Sequence, residues 1–106
     1  MLDSFFSKDE SDLDGYHFKR EFEKATNKEL LDVRTPAEFQ SGNIPGSINL
    51  DVMSPNFVHE MEKLDKSKTY FVYCRSGNRS GNAVNMMKKA GFNAFNLIGG
   101  IGAWPR

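Results

Sequence analysis

The sequence contains a single cysteine, and this scarcity limits the chemistry open to the chain. One cysteine cannot form an internal disulfide. With only His17 and His59 beside it, it cannot assemble a four-ligand zinc site either. We therefore predict no structural disulfide, no metal ion and no other cofactor. A free thiol is typical of proteins in a reducing compartment, which favours the cytoplasm.

The chain also lacks an excess of charge of either sign and any long apolar run. Its 14 basic and 14 acidic side chains cancel, so the charge indicates no nucleic-acid partner. No apolar run approaches the roughly 20 residues of a membrane-spanning helix, so no membrane partner is predicted. The N-terminal segment MLDSFFSKDESDLDG has neither the basic start nor the apolar core of a secretion signal.

Charge is unevenly distributed along the chain. Residues 1–15 hold five acidic side chains and one lysine, which leaves residues 16–106 with a formal charge of +4. We predict that residues 1–15 form an acidic, flexible tail and that residues 16–106 form one globular domain. The positive charge of this domain slightly favours an anionic ligand.

Apolar segments typical of strands alternate with helical patterns along the domain. The predicted strands are KELLDV, TYFVYC and NAFNLIGG, with a short one over residues 47–50. Between them, apolar residues recur at helical spacing, and TPAEF begins one helix with Thr35 as N-cap and Glu38 completing a capping box. A further helix is predicted from Ser54, and another from Ser80. This alternation predicts an α/β fold with a mainly parallel sheet.

The cysteine, Cys74, ends a predicted strand and lies just before a predicted helix. In parallel α/β sheets, ligands bind beyond the carboxyl ends of the strands. The N–H groups and the partial positive charge of the helix N-terminus stabilise a thiolate there, and Arg75 and Arg79 add positive charge. Gly77 allows the backbone to curl so that several N–H groups meet at one anion. The segment is therefore suited to a nucleophilic thiolate beside an anionic substrate.

A lone cysteine is most often a small buried apolar residue, and the strand TYFVYC alone would fit that interpretation. The polar and basic residues that follow directly favour a nucleophile instead. Ser80 is also predicted to cap the helix. The candidate substrate-binding residues around Cys74 are Arg75, Ser76, Gly77, Asn78, Arg79 and Ser80.

Three motifs in order resemble the single-domain rhodaneses, which are thiosulfate sulfurtransferase-like proteins. They are LLDVRTPAEFQSGNIPGSINL, YFVYCRSGNRS and GGIGAW, and the resemblance runs from about Tyr16 to the end of the chain. The glycines of the last motif are interpreted mainly as turn residues. The acidic tail lies outside the resemblance.

The resemblance implies a sheet of about five parallel strands flanked by helices, with the loop after Cys74 cradling its sulfur. Cys74 would take the outer sulfur of thiosulfate, release sulfite, and hold the sulfur as a persulfide. The acceptor would be cyanide, a thiol or another protein. Arg34 and Glu38 are expected to brace the scaffold rather than to contact substrate. Asp32 ends a strand near the loop and could do either, with a structural role favoured.

Functions of other classes remain alternatives at this point. Cysteine-based phosphatases use a similar cradle, but their loop places arginine six residues after cysteine, whereas Arg79 follows Cys74 by five. Phosphate-ester cleavage also usually needs a general acid, and the loop offers none. Arsenate reduction is a related alternative. A further alternative is a rhodanese-like module that is regulatory, binds a partner or senses oxidants. The presence of Cys74 argues against a binding role alone.

Overall fold

The structure is a computed structural model that describes residues 10–105. Its strands are β1 (Asp12–Leu13), β2 (Lys28–Asp32), β3 (Ile48–Asn49), β4 (Thr69–Tyr73) and β5 (Asn93–Leu97). Its helices are α1 (Gly15–Lys24), α2 (Pro36–Ser41), α3 (Phe57–Glu62) and α4 (Asn78–Lys89), followed by a 3₁₀ turn, Gly100–Ala103. No helix within residues 10–105 has the length and hydropathy of a membrane span.

The five strands form one sheet in the order β1-β5-β4-β2-β3, and every pairing is parallel. Strand β4 lies at the centre and pairs with β2 over Lys28–Thr69 to Asp32–Tyr73. The predicted α/β fold with a parallel sheet of about five strands is confirmed. The central position brings the carboxyl end of β4, where Cys74 lies, to the middle of one edge of the sheet.

Alternation along β4 divides the core between the two faces of the sheet. Tyr70 and Val72 point to the face covered by α3 and α4, where they join Cys74 in one buried cluster. Phe71 and Tyr73 point to the opposite face, covered by α1 and the C-terminal turn. The cysteine therefore packs on the side of the sheet from which α4 begins.

Strand β1 lies inside the segment that the sequence predicted to be a flexible tail. The Asn96 N–H donates to the Ser11 carbonyl at 2.7 Å, and the Ile98 N–H donates to the Leu13 carbonyl at 2.8 Å. Asp14 then caps α1, because its carboxylate accepts from the His17 N–H at 2.9 Å. The predicted boundary at residue 15 is thus corrected, since residues 11–14 belong to the sheet and to a helix cap. The rest of the predicted tail, residues 1–9, lies outside the described residues.

Two helix starts also differ from the predicted ones, whereas the capping box of α2 is confirmed. The Thr35 hydroxyl accepts from the Glu38 N–H at 3.2 Å, and the Glu38 carboxylate accepts from the Thr35 N–H at 3.0 Å. Helix α3 begins at Phe57 rather than at Ser54, because the intervening residues form turns. Helix α4 begins at Asn78, two residues before the predicted start.

Candidate active site

The loop after β4 wraps around the sulfur of Cys74. The Sγ atom accepts hydrogen bonds from the Gly77 N–H at 3.1 Å and from the Ser80 N–H at 3.3 Å. The Ser80 hydroxyl also lies 3.3 Å from Sγ. Cys74 itself is buried, with 0% of its surface exposed. The loop thus surrounds the sulfur with donors that favour a negative charge on it.

These contacts oppose the effect of burial on the thiol. Burial raises the pKa of Cys74, but hydrogen bonds from the Ser80 hydroxyl and from the N–H groups of Ser80, Gly77 and Ser76 outweigh it. The net pKa lies below the ordinary value for cysteine. The first turn of the twelve-residue helix α4 adds its partial positive charge at the same place. A larger fraction of the sulfur is therefore thiolate near neutral pH than in a free thiol.

Gly77 gives the loop its curvature. It lies at φ +103°, a left-handed conformation that side-chain-bearing residues rarely adopt, and it precedes the first residue of α4. This turn starts the helix at Asn78, which leaves Ser80 inside the first turn. The predicted capping role of Ser80 is therefore wrong: its hydroxyl faces Cys74 and Asn96 instead of an N-terminal N–H group.

The two loop arginines have different environments. The Arg79 guanidinium donates two hydrogen bonds to the Glu38 carboxylate, at 2.8 and 3.0 Å. The exposed Arg75 forms no hydrogen bond or ion pair through its side chain with any residue of the described part of the chain. The sequence assigned both arginines to substrate binding, whereas the structure pairs Arg79 with Glu38 of the same chain.

Glu38 links helix α2 to the loop. The hydrogen bonds from Arg79 lower the pKa of the Glu38 carboxyl to about 2, and the bonds from Thr35 contribute to this effect. Its predicted bracing role is supported by this geometry, although the sequence did not identify Arg79 as the partner. The Arg34 guanidinium similarly donates to the buried carboxylate of Asp32, at 2.7 Å from Nη2.

The C-terminal glycines pack directly against the loop. A Cβ atom built at Gly100 would lie 1.9 Å from the Arg75 carbonyl oxygen and 2.6 Å from the Ser76 nitrogen. The Ile101 N–H donates to the Cys74 carbonyl at 2.8 Å. The interpretation of these glycines mainly as turn residues is thus incomplete, because Gly100 also allows this close approach of two backbone segments.

Asn96 and Asp12 were not identified from the sequence as neighbours of the loop. The buried Asn96 side chain, on β5, donates to the Gly77 carbonyl at 3.2 Å and to the Asp12 carboxylate at 3.0 Å. Of the remaining predicted site residues, Ser76 and Asn78 are exposed at the rim of the loop. The only indication of a role for Asn96 in the sequence was its position as a polar residue within an apolar predicted strand.

Comparison with known proteins places this architecture in a family. The model of the rhodanese-like domain family matches residues 16–106. YtwF of Bacillus subtilis is 39% identical over 71% of this chain and 71% of its own length. A protein of Allochromatium vinosum named sulfurtransferase is 38% identical over 73% of this chain and 71% of its own length.

Solved structures agree with this relationship. The crystal structure of a rhodanese-related protein from Thermoplasma volcanium superposes with a TM-score of 0.76 and 30% identity, over 88% of each chain. Residues 16–106, which the family model matches, contain strands β2 to β5, Cys74 and the loop that encloses its sulfur. The chain belongs to the rhodanese-like domain family.

Proposed function

We propose that the protein is a sulfurtransferase that carries sulfane sulfur on Cys74. The observation that carries the proposal is the pair of hydrogen bonds that Sγ accepts from the N–H groups of Gly77 and Ser80, at 3.1 and 3.3 Å. Such donors stabilise an anionic sulfur, whether thiolate or persulfide. The relative from Allochromatium vinosum that is named sulfurtransferase supports the same reaction class.

In the first half-reaction, the Cys74 thiolate attacks the outer sulfur of thiosulfate. A bond forms between Sγ and that sulfur, while the sulfur–sulfur bond of thiosulfate breaks and its electron pair leaves with sulfite. Sulfite is a stable anion, so no general acid is needed to protonate it. The uncommitted guanidinium of Arg75 is the group we assign to attracting the anionic donor.

In the second half-reaction, an acceptor attacks the outer sulfur of the persulfide. Cyanide carbon or a thiolate forms the new bond to this sulfur, and the bond to Sγ breaks, which regenerates the Cys74 thiolate. The products are thiocyanate or an acceptor persulfide. The N–H groups of Gly77 and Ser80 stabilise the Cys74 thiolate, which is the nucleophile of the first half-reaction and the leaving group of the second, so the same loop serves both half-reactions.

Burial of Cys74 sets one requirement on this mechanism. Because the residue exposes 0% of its surface, the atoms that cover the sulfur have to move before a donor contacts it. The same burial is the observation that favours the alternative, a regulatory or partner-binding rhodanese-like module whose thiol does not turn over. Thiosulfate and a low-molecular-weight persulfide are the two donor types to compare.

The test is a side-by-side assay of thiosulfate:cyanide sulfur transfer and aryl-phosphate hydrolysis. We expect sulfur transfer by the wild-type protein, its loss in Cys74→Ser, and no phosphate hydrolysis by either. The short loop supports this expectation, since Arg79 follows Cys74 by five residues. Absence of sulfur transfer in folded, reduced protein would favour the non-catalytic module, and phosphate hydrolysis would contradict the proposal.

A further inference from the structure

The orientation of the Asn96 amide is fixed by its neighbours. Its nitrogen lies 3.0 Å from the Asp12 carboxylate and 3.2 Å from the Gly77 carbonyl, and both of these groups only accept hydrogen bonds. The amide oxygen must therefore face the Ser80 hydroxyl, 2.5 Å away. With 5% of its surface exposed, Asn96 has no room to exchange these partners for water.

The Ser80 hydroxyl has one hydrogen and two neighbours that accept it. The Asn96 oxygen is 2.5 Å from Ser80 Oγ, whereas Cys74 Sγ is 3.3 Å away. When the sulfur is protonated, its S–H group donates to Ser80 Oγ and the hydroxyl donates to Asn96 without conflict. When the sulfur is an anion, both neighbours require the same hydrogen.

We propose that Asn96 is a positioning residue that competes with the Cys74 sulfur for the Ser80 hydroxyl hydrogen. The competition limits how far the loop stabilises the anionic sulfur. A less stabilised Cys74 thiolate is the stronger nucleophile toward the sulfur donor, because the nucleophilicity of a thiolate falls as its basicity falls. This inference rests on the proposed function, in which the same sulfur carries the transferred atom.

Other charges near the sulfur act alongside this competition. Arg79 in the loop is paired with Glu38 from α2, and the charges of Cys74 and Asp51 also act on it. Arg75 adjoins Cys74 in sequence, and the carboxylate of Asp12 on β1 lies behind the Asn96 amide. None of these groups shares the Ser80 hydrogen, so removing that hydroxyl separates the effect of Asn96 from theirs.

The test is a double-mutant cycle on the ionisation of the sole cysteine. Thiolate ultraviolet absorbance is titrated in the wild type, Asn96→Leu, Ser80→Ala and the double variant, with Cys74→Ser as the blank. Leucine matches the size of asparagine but accepts no hydrogen bond. With Ser80 present, we expect Asn96→Leu to raise the thiolate-to-thiol ratio at a fixed pH by roughly three- to tenfold more than it does in the Ser80→Ala background.

An equal effect of Asn96→Leu in both backgrounds would overturn the proposal, because a purely structural role does not depend on the Ser80 hydroxyl. The matched control is Asn82→Leu, an exposed position on α4, which should leave the titration unchanged. The readout needs no sulfur donor, so it remains decisive even if the protein transfers no sulfur.

A second variant keeps the test decisive if Asn96→Leu does not fold. Asn96→Asp retains an acceptor and makes it stronger, while its added charge disfavours the thiolate in either background. We then expect Asn96→Asp to lower the thiolate-to-thiol ratio more in the wild-type background than in the Ser80→Ala background. Equal falls in the two backgrounds would overturn the proposal.

Discussion

The loop around Cys74 is anchored differently on its two sides. On one side, Arg79 is held by Glu38 in a partly exposed ion pair, with 27% and 25% of the two side chains accessible. On the other side, the Gly77 carbonyl is bonded to buried Asn96, and Gly100 packs against the loop backbone without any side chain between them. One anchor is electrostatic and near solvent, and the other is neutral and tightly packed.

The two sides of the loop therefore tolerate different changes. An exposed ion pair contributes little net free energy and depends on pH and salt. A close backbone contact is insensitive to both but has no tolerance for added volume, because protein interiors are densely packed. The two anchors can therefore be weakened one at a time.

The largest effect is expected from Gly100→Ala, on the packed side. The added Cβ would lie 1.9 Å from the Arg75 oxygen, and Gly100 has φ +74°. We expect a loss of about 3 kcal/mol or more in the free energy of unfolding, together with loss of sulfur transfer. Chemical denaturation measures the first quantity.

The matched control for this substitution is Gly102→Ala. Nothing lies within 4 Å of a Cβ built at Gly102. We expect its effect on stability to stay below about 1 kcal/mol. Similar losses in both variants would show that the contact of Gly100 with the loop is not what restricts that position.

On the electrostatic side, Arg79→Ala removes both hydrogen bonds to Glu38 and leaves the Glu38 carboxylate without its cation. The unpaired Glu38 carboxylate then repels the anionic donor, so we expect kcat/KM for thiosulfate to fall about tenfold to a hundredfold. Steady-state kinetics with thiosulfate and cyanide give the ratio. An unchanged kcat/KM would reduce Arg79 to a surface charge.

Arg75→Ala should have a smaller and different effect. The Arg75 side chain forms no hydrogen bond or ion pair with residues 10–105, so its loss should not loosen the loop. We expect KM for thiosulfate to rise by up to about tenfold, with kcat and the melting temperature nearly unchanged. Arg75→Lys, which keeps the charge, should recover most of the loss. A fall in kcat alone would contradict a role in capturing the anion.

The smallest effect concerns the pH dependence of the Glu38–Arg79 pair. The pKa of Glu38 falls from an ordinary 4.5 to about 2 in the folded protein. The stabilisation it provides is therefore complete above pH 4.5 and is lost as the pH falls through 2. We expect Glu38→Gln to be destabilised relative to wild type by up to about 1 kcal/mol at neutral pH. The difference should vanish near pH 2, and one that persists there would have another origin.

The sequence predicted the elements whose signals are local. The apolar runs of β2, β4 and β5 and the helical spacing around them predicted the α/β sheet. The Thr35–Glu38 capping box was predicted because both partners lie within one turn. Cys74 could be placed at the sheet edge for the same reason, since a strand ends and a helix begins beside it.

Features that depend on distant partners were missed. Strand β1 has only two residues and pairs with β5, more than 80 positions away, so its sequence carries no strand pattern of its own. The Arg79–Glu38 pair spans 41 residues, and the Asn96–Ser80 contact spans 16. The start of α4 depends on the left-handed turn at Gly77, which placed Ser80 inward rather than at the cap.

The central claim is that Cys74 carries the transferred sulfur, and intact-mass analysis tests it most directly. After treatment with thiosulfate without acceptor, followed by desalting, we expect the wild-type protein to be heavier by one sulfur atom. Cyanide should then restore the original mass. Cys74→Ser should gain nothing, since the chain has no other cysteine. A folded, reduced wild-type protein that never gains the sulfur would contradict the account.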